Sequence, residues 1–397
     1  MSRPSPSRRS QVTPFEVMEV LARVARMREE GRDVISLCAG EPAGGAPTAV
    51  SRAAAAIHES REPLTYTPAL GLTELRSAIA QHYRDWYGLD LPAERVAVTT
   101  GSSGAFVLTF LAAFDQGDRV ALARPGYPAY RNILSGLGCE VVDLDCGPEV
   151  RYQPTVEQLA EVHARQPLAG LVLASPANPT GTMIGRAELT AIARWCTEHG
   201  VRLVSDEIYH GITYPEPGAP TPRRVRARGR RRRGRHQLLQ QVLGMTGWRL
   251  GWAVVPHDLV GPVDALAGNI ALCPPAPAQM AALSALTDEA LLECEEAVAG
   301  FARTREVLLE LAPRLAGARR PRPMAPSTTT PTSDRSWSAG PTPPPTPRRC
   351  SRRPGRRHPG GDFDERAGDR HVRLSLAAGP EAVAEAVERI VAWQAGL

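Results

Sequence analysis

Six short constellations in this 397-residue chain set together residue types able to hold and rework a small charged ligand. Gly101-Ser102-Ser103-Gly104-Ala105 is built of small residues. If it opens a helix, its backbone N–H groups can approach an anion such as a phosphate, and the helix dipole favours that charge. A plain Gly/Ser-rich turn is the alternative. Pro125-Gly126-Tyr127-Pro128 puts an aromatic ring on a stiff turn, either to face a ligand at a strand end or to pack. In Ser175-Pro176-Ala177-Asn178-Pro179-Thr180-Gly181 the prolines limit the freedom of Asn178. Its amide can donate to a fixed ligand oxygen, or serve an ordinary turn. Val204-Ser205-Asp206-Glu207-Ile208-Tyr209 sets an acid at the end of an apolar run. A buried carboxylate needs a partner, which a cationic heterocycle or an arginine could supply. Arg249, in Gly247-Trp248-Arg249-Leu250-Gly251, and Arg373, in His371-Val372-Arg373-Leu374-Ser375, each sit in an apolar frame. A guanidinium so placed clamps a carboxylate or phosphate in bidentate fashion, or closes a structural ion pair.

These residues need a scaffold that gathers them. The spacing of Val17, Val20, Leu21 and Val24 predicts an amphipathic helix over 15–28. Further helices are expected over 72–87 with Gly88 as its stop, following Gly101-Ser102-Ser103-Gly104 through Phe114, over 187–199 with Gly200 as its stop, and over 380–395. Strands are expected at 34–37, 96–99, 120–123, 139–144, 170–174 and 201–205. Strands alternating with helices of roughly 10–15 residues mean βαβ units and a mostly parallel sheet. The runs 171–174 and 201–205 are largely apolar on both faces, as central parallel strands are.

Composition narrows the class. Hydrophobic residues make up 43% and charged residues 22%, which suits a globular chain with a sizeable core. No apolar run reaches the roughly 18–20 residues that a bilayer-crossing helix needs. The basic, polar stretch Met1–Ser10 has no apolar segment behind it, so no secretory signal is expected. The seven cysteines are scattered, with no Cys-x-x-Cys pair, so neither a disulfide framework nor a metal site is expected. The cytoplasm is the expected compartment. All 47 residues counted as Lys+Arg are arginines, so the chain has no lysine. Nine of them lie in Arg223–Arg235, and without that tract the net charge of +5 becomes 5 − 9 = −4. The basic balance is local.

Two stretches break the alternation. One is 221–243, with the arginine tract. The other is 319–359: from 321 to 360 the chain holds 11 prolines, where average use gives roughly two. By composition both belong with segments that build no core.

The order and spacing of the six constellations resemble the class I/II aminotransferases, the fold-type I enzymes that use pyridoxal 5′-phosphate. The resemblance covers about residues 15–215, 244–318 and 360–397. It implies a three-layer α/β/α large domain with a mostly parallel sheet, and a smaller α+β domain made from both termini. The implied division is 1–45 for the arm and part of the small domain, 46–290 for the cofactor domain and 291–397 for the rest. By the same resemblance, Ser102, Ser103, Gly104 and Arg249 hold the cofactor phosphate, and Tyr127 stacks on its ring. Asp206 bonds the ring nitrogen, and Asn178 and Tyr209 bond the 3-oxygen. Arg373 clamps the substrate carboxylate, with Asn178 and Gly40 in the same pocket. Tyr66, in Tyr66-Thr67-Pro68, reaches the phosphate of a second subunit, which implies a homodimer acting on an amino acid and a 2-oxo acid.

The family's Schiff-base lysine stands eight residues before the phosphate arginine, and that position here is Gln241. A glutamine amide neither bonds the cofactor covalently nor moves the substrate's α-proton. One explanation is a shifted reading frame. One choice of codons that encodes 236–242, CAT CAA CTC CTT CAG CAA GTA, gives Ile-Asn-Ser-Phe-Ser-Lys when read from the second base, with lysine at 241. For 324–330 the choice ATG GCG CCT TCT ACT ACT ACG, with a preceding G borrowed, gives Asp-Gly-Ala-Phe-Tyr-Tyr-Tyr, like a strand of the family's small domain. The alternative is a catalytically dead member of the family. A lyase or decarboxylase on the same cofactor is a further option. Nucleic-acid binding through Arg223–Arg235 is a remote one, because the tract carries no interleaved aromatics.

Overall fold

The computed structural model describes residues 5–38, 40, 44–214, 244–315, 318–319, 328–329, 332–333, 362–368 and 371–395. Gln241, the tract Arg223–Arg235 and most of 319–359 therefore lie outside the described residues. Three helices come first: α1 (Glu16–Glu29), α2 (Thr48–Ser60) and α3 (Thr73–Tyr87). Then strand and helix alternate, through β1 (Val96–Thr99), α4 (Gly101–Ala113), β2 (Arg119–Arg124), α5 (Pro128–Leu137), β3 (Glu140–Asp145) and α6 (Val156–Arg165). The alternation continues with β4 (Gly170–Ala174), α7 (Arg186–Glu198) and β5 (Arg202–Asp206). After residue 244 come β6 (Gly251–Val254), α8 (His257–Ile270), α9 (Ala276–Ala282) and the long α10 (Asp288–Leu311). Four two-residue strands follow, β7 (Ala318–Arg319), β8 (Thr328–Thr329), β9 (Thr332–Ser333) and β10 (Leu374–Ser375), and then α11 (Pro380–Ala395).

Local chemistry sets several boundaries. Gly88 ends α3 in the left-handed region (φ 63°), and its N–H returns to the Arg84 carbonyl. A capping box opens α6: Thr155 accepts from the Gln158 N–H, and the Gln158 side chain accepts from the Thr155 N–H. Pro128 stands at the start of α5, where its missing N–H has no helical partner to lose.

β3, β2, β4 and β5 form a parallel sheet in that order, joined by α5, α6 and α7. β1 and β6 form an antiparallel pair, with Thr99 opposite Gly251. Alternate side chains of the parallel strands enter two cores. Val172 and Val204 pack with Phe106, Phe110 and Leu134 of α4 and α5. Leu171, Leu173 and Leu203 pack with Leu159, Ile192 and Trp195 of α6 and α7. The sheet thus lies between two helical layers, as the strand–helix alternation predicts. The first core also takes in Ala97 of β1 and Ala253 of β6, so the antiparallel pair shares it. A separate core gathers Leu37, Leu308, Leu374, Leu376, Val383 and Val387, drawing on segments near both ends of the chain.

One expected strand is absent. Val34–Leu37 carries no strand assignment. It meets β10 through a single backbone bond, from the Ser375 N–H to the Leu37 carbonyl at 2.9 Å. β10 is two residues long and pairs with β8, which leaves little template for a second ladder.

Candidate cofactor and substrate site

The C-terminal ends of the strands and the N-terminus of α4 converge. Pairing of β1 with β6 brings Gly251 against the start of α4. A Cβ on Gly251 would stand 2.8 Å from the Gly101 carbonyl carbon and 2.9 Å from the Ser102 nitrogen. Gly101 has a left-handed φ of +68°, and a Cβ there would lie 2.7 Å from a guanidinium nitrogen of Arg249. Two glycines therefore permit a contact that any side chain would prevent. Thr100, at the N-cap, makes no side-chain capping bond, and the first turn of α4 has no acid. Its N–H groups stay available to an outside anion. Arg249 is exposed and gives one N–H to the Thr246 carbonyl at 3.0 Å. Helix terminus and guanidinium together suit a phosphate.

Asp206 ends β5 and is 3% exposed. One carboxylate oxygen accepts the Ile208 N–H at 2.9 Å, and the other accepts the hydroxyl of Tyr130 in a close contact. Burial pushes this carboxyl up to about 6, against the pull of both hydrogen bonds. A protonated ring nitrogen beside it would reverse that shift, because an opposite charge stabilises the carboxylate. The neighbouring Glu207 is pushed up to about 7, again mainly by burial. Tyr130 did not stand out in the sequence. It lies three residues after Tyr127, one helical turn along α5, and that spacing was the available signal.

Tyr127 sits at the N-cap of α5. Its ring meets Tyr130 edge-on at 5.3 Å and Phe15 at 5.7 Å. Burial pushes its hydroxyl up to about 12, the fields of Tyr209 and Asp206 add to that shift, and those of Arg373 and Arg249 oppose it. Asn178 is buried, and its side-chain oxygen accepts an N–H of Arg373 at 3.2 Å, leaving the amide nitrogen free to donate elsewhere. Arg373 also donates to the Cys38 carbonyl in a close contact, and Phe363 lies 5.0 Å from its guanidinium carbon. Gly40 is half-buried two residues beyond Cys38.

Arg249 thus lies against the start of α4, which carries Ser102, Ser103 and Gly104; Tyr130 joins Tyr127 to Asp206, three residues before Tyr209; and Asn178 joins Arg373. Tyr66 is not among them: it is 82% exposed. Position 241 lies outside the described residues.

The profile of the family "Aminotransferase class I and II" matches residues 32–316. A valine–pyruvate aminotransferase of Mycobacterium tuberculosis is 50% identical over 304 residues, covering 76% of each chain. An aspartate/prephenate aminotransferase of Thermus thermophilus is 32% identical over 316 residues, covering 77% of this chain and 78% of its own. Among solved structures, an aminotransferase from Mycobacterium tuberculosis has a TM-score of 0.86 at 42% identity, over 100% of both chains. Enzymes of this family and fold use pyridoxal 5′-phosphate. By its sequence and its architecture, this chain belongs to the class I and II aminotransferases.

Proposed function

We propose that this chain holds pyridoxal 5′-phosphate among α4, Asp206 and Arg249, with an amino acid or 2-oxo acid beside it. The observation that carries this reading is the close approach of Arg249 to Gly101 at the uncapped, acid-free start of α4. The N–H groups of Ser102, Ser103 and Gly104 and the guanidinium of Arg249 take the phosphate. Tyr127 covers one face of the ring, and Asp206 keeps its nitrogen protonated. Asn178 and Tyr209 take the 3-oxygen. Arg373 takes the substrate carboxylate, beside Asn178 and Gly40. When bound, the cofactor supplies an electron sink for bond breaking at the substrate's α-carbon. The family's exchange of amino and oxo groups also needs an amine that transfers the proton, and Gln241 cannot act as one. We therefore assign cofactor binding to the chain as written, and turnover to a form with lysine at 241.

Titration with pyridoxal phosphate, followed by quenching of intrinsic fluorescence, tests the binding. Gly101→Ala is expected to weaken it about tenfold or more, since the new methyl displaces Arg249 and the left-handed φ strains an alanine. Unchanged affinity in that variant would remove the phosphate from α4.

We assign an uncharged side chain to the substrate. The nearby guanidinium of Arg124 is paired with Asp145 and Asp364, and that of Arg131 with Asp143. Neither is free to meet a second carboxylate. The similarity to a valine–pyruvate enzyme supports the same class.

We also propose a homodimer. Tyr66 is exposed together with Leu64, Ile270, Leu272 and Met280. The loop carrying Tyr66 is tied to α9, which carries Met280, by the bond from Gln279 to the Thr67 hydroxyl at 3.0 Å. Sedimentation is expected to show a dimer for the unaltered chain and a monomer after Leu64→Glu with Leu272→Glu. A dimer that survives both changes would place the contact elsewhere. The division at 45/46 and 290/291 is retained as a proposal, as is a cytoplasmic location. Among the described residues no helix is long and apolar enough to cross a membrane.

A further inference from the structure

Residues 362–368 have no part in the assignments above, yet they touch several parts of the site. The Glu16 N–H, at the start of α1, donates to the Asp362 carboxylate at 2.9 Å. The Gly126 N–H, in the turn before Tyr127, donates to the Phe363 carbonyl at 2.9 Å. Asp364 lies 3.7 Å from Arg124 at the end of β2, and Arg366 lies 3.2 Å from Asp145 at the end of β3. Asp364 also accepts the N–H groups of Arg366 and Ala367 at 2.9 and 3.1 Å, which fixes the turn. The segment is thus fastened on both sides of Phe363. Its ring is held 5.0 Å from the guanidinium carbon of Arg373.

We infer that Phe363 is a positioning residue for Arg373, holding the guanidinium by its face so that the remaining N–H groups stay free for a carboxylate. Arg373 already gives N–H groups to Asn178 and Cys38. A carboxylate packed against it in place of Phe363 would consume more donors and cancel the charge. An aromatic face attracts the cation without using any N–H. It also shields the guanidinium from water, where burial already works against its charge. The charged groups Arg124, Asp145, Asp364 and Arg366 pair with one another. Tyr209, Cys38 and Tyr127 act on Arg373 in the sense that favours its charge.

The inference rests on Arg373 being the carboxylate clamp, and the test separates the two. The probe is isovalerate, a monocarboxylate with an apolar tail, titrated calorimetrically into protein saturated with pyridoxal phosphate. Phe363→Leu keeps an apolar side chain and removes the π face. It is expected to weaken isovalerate binding about five- to thirtyfold. Phe363→Tyr restores the face and is expected to bind within about twofold of the unaltered protein. Affinity for pyridoxal phosphate itself is expected to be unchanged in both, because Phe363 makes no contact with the phosphate cradle. Leucine binding as well as phenylalanine, or tyrosine binding as weakly as leucine, would overturn the inference and leave a packing role. Arg373→Gln without loss of isovalerate binding would overturn the clamp assignment, and the inference with it.

Discussion

Rewriting residues 236–241 as Ile-Asn-Ser-Phe-Ser-Lys is expected to turn a protein that borohydride cannot link to pyridoxal phosphate into one that it links at one cofactor per chain. The change that matters is Gln241→Lys. An amide nitrogen shares its lone pair with its carbonyl and does not add to an aldehyde. A lysine amine does, all the more when an apolar pocket lowers its pKa. The chain has no other lysine, so the background is confined to the N-terminal amine. Mass spectrometry of the digested, reduced protein distinguishes the two. A visible absorption band is expected only in the rewritten form. Transamination should rise by at least about 10³-fold, since the same amine also moves the proton. A stoichiometric adduct in the unaltered chain, away from the N-terminus, would show that the assignment of position 241 is wrong. Resequencing the DNA is a separate matter. A single intact frame across codons 220–243 would remove the frame explanation and leave the chemistry as stated.

Asp206→Asn is expected to make the cofactor-free protein more stable and the cofactor-bound protein weaker. In the folded chain the Asp206 carboxyl titrates at about 6, against an ordinary value of 3.8. The folded state therefore holds its proton more tightly than the unfolded state does. Stability from this group is greatest below pH 4 and is lost as pH rises through 6, by roughly 3 kcal/mol in all. Glu207 acts in the same sense between 4.5 and about 7. His82 acts oppositely, because burial lowers it from 6.5 to about 4, so its contribution is lost as pH falls through that window. At pH 8 the asparagine variant should be about 2–3 kcal/mol more stable than the unaltered chain in denaturant unfolding without cofactor, and the gap should close towards pH 4. Tyr130 makes this tolerable, since its hydroxyl can turn and accept from the new amide. Binding goes the other way. Losing the carboxylate leaves a buried ring cation without its counter-charge, which costs about 3–5 kcal/mol, or a hundredfold and more in affinity. A variant less stable at pH 8 would mean that the carboxylate is already balanced by a charge in the folded chain.

Much of this fold was legible because its signals are local. Gly88 and Gly200 stop helices by their backbone freedom, and each lies in the left-handed region. Val96–Thr99 is completely buried, and its apolar run predicted a strand with the observed bounds. The closeness of Gly251 to Gly101 was not legible, because only the pairing of β1 with β6 brings the two together. Less was legible where long-range partners decide. Val34–Leu37 has the composition of a strand and lacks the neighbour to make it one. Tyr130 and Phe363 look like ordinary core aromatics, and their roles come from Asp206, 76 residues away on the chain, and from Arg373, across a turn. α10 runs for 24 residues with buried positions interrupted by exposed Leu292, so its face is hard to read from periodicity.

The segment at 362–368 also bears on the order in which the site is assembled. Its bonds to Glu16 and Asp145 span 346 and 221 residues of chain. Chains are made from the N-terminus, at about 5–20 residues per second. The phosphate cradle is complete in sequence once Gly251 has emerged, whereas Arg373 and the ring that seats it arrive more than a hundred residues later. The residues proposed for the phosphate are thus all made before the proposed carboxylate clamp. A chain ending before Phe363 carries the proposed phosphate residues and lacks both the proposed clamp and the ring that would seat it.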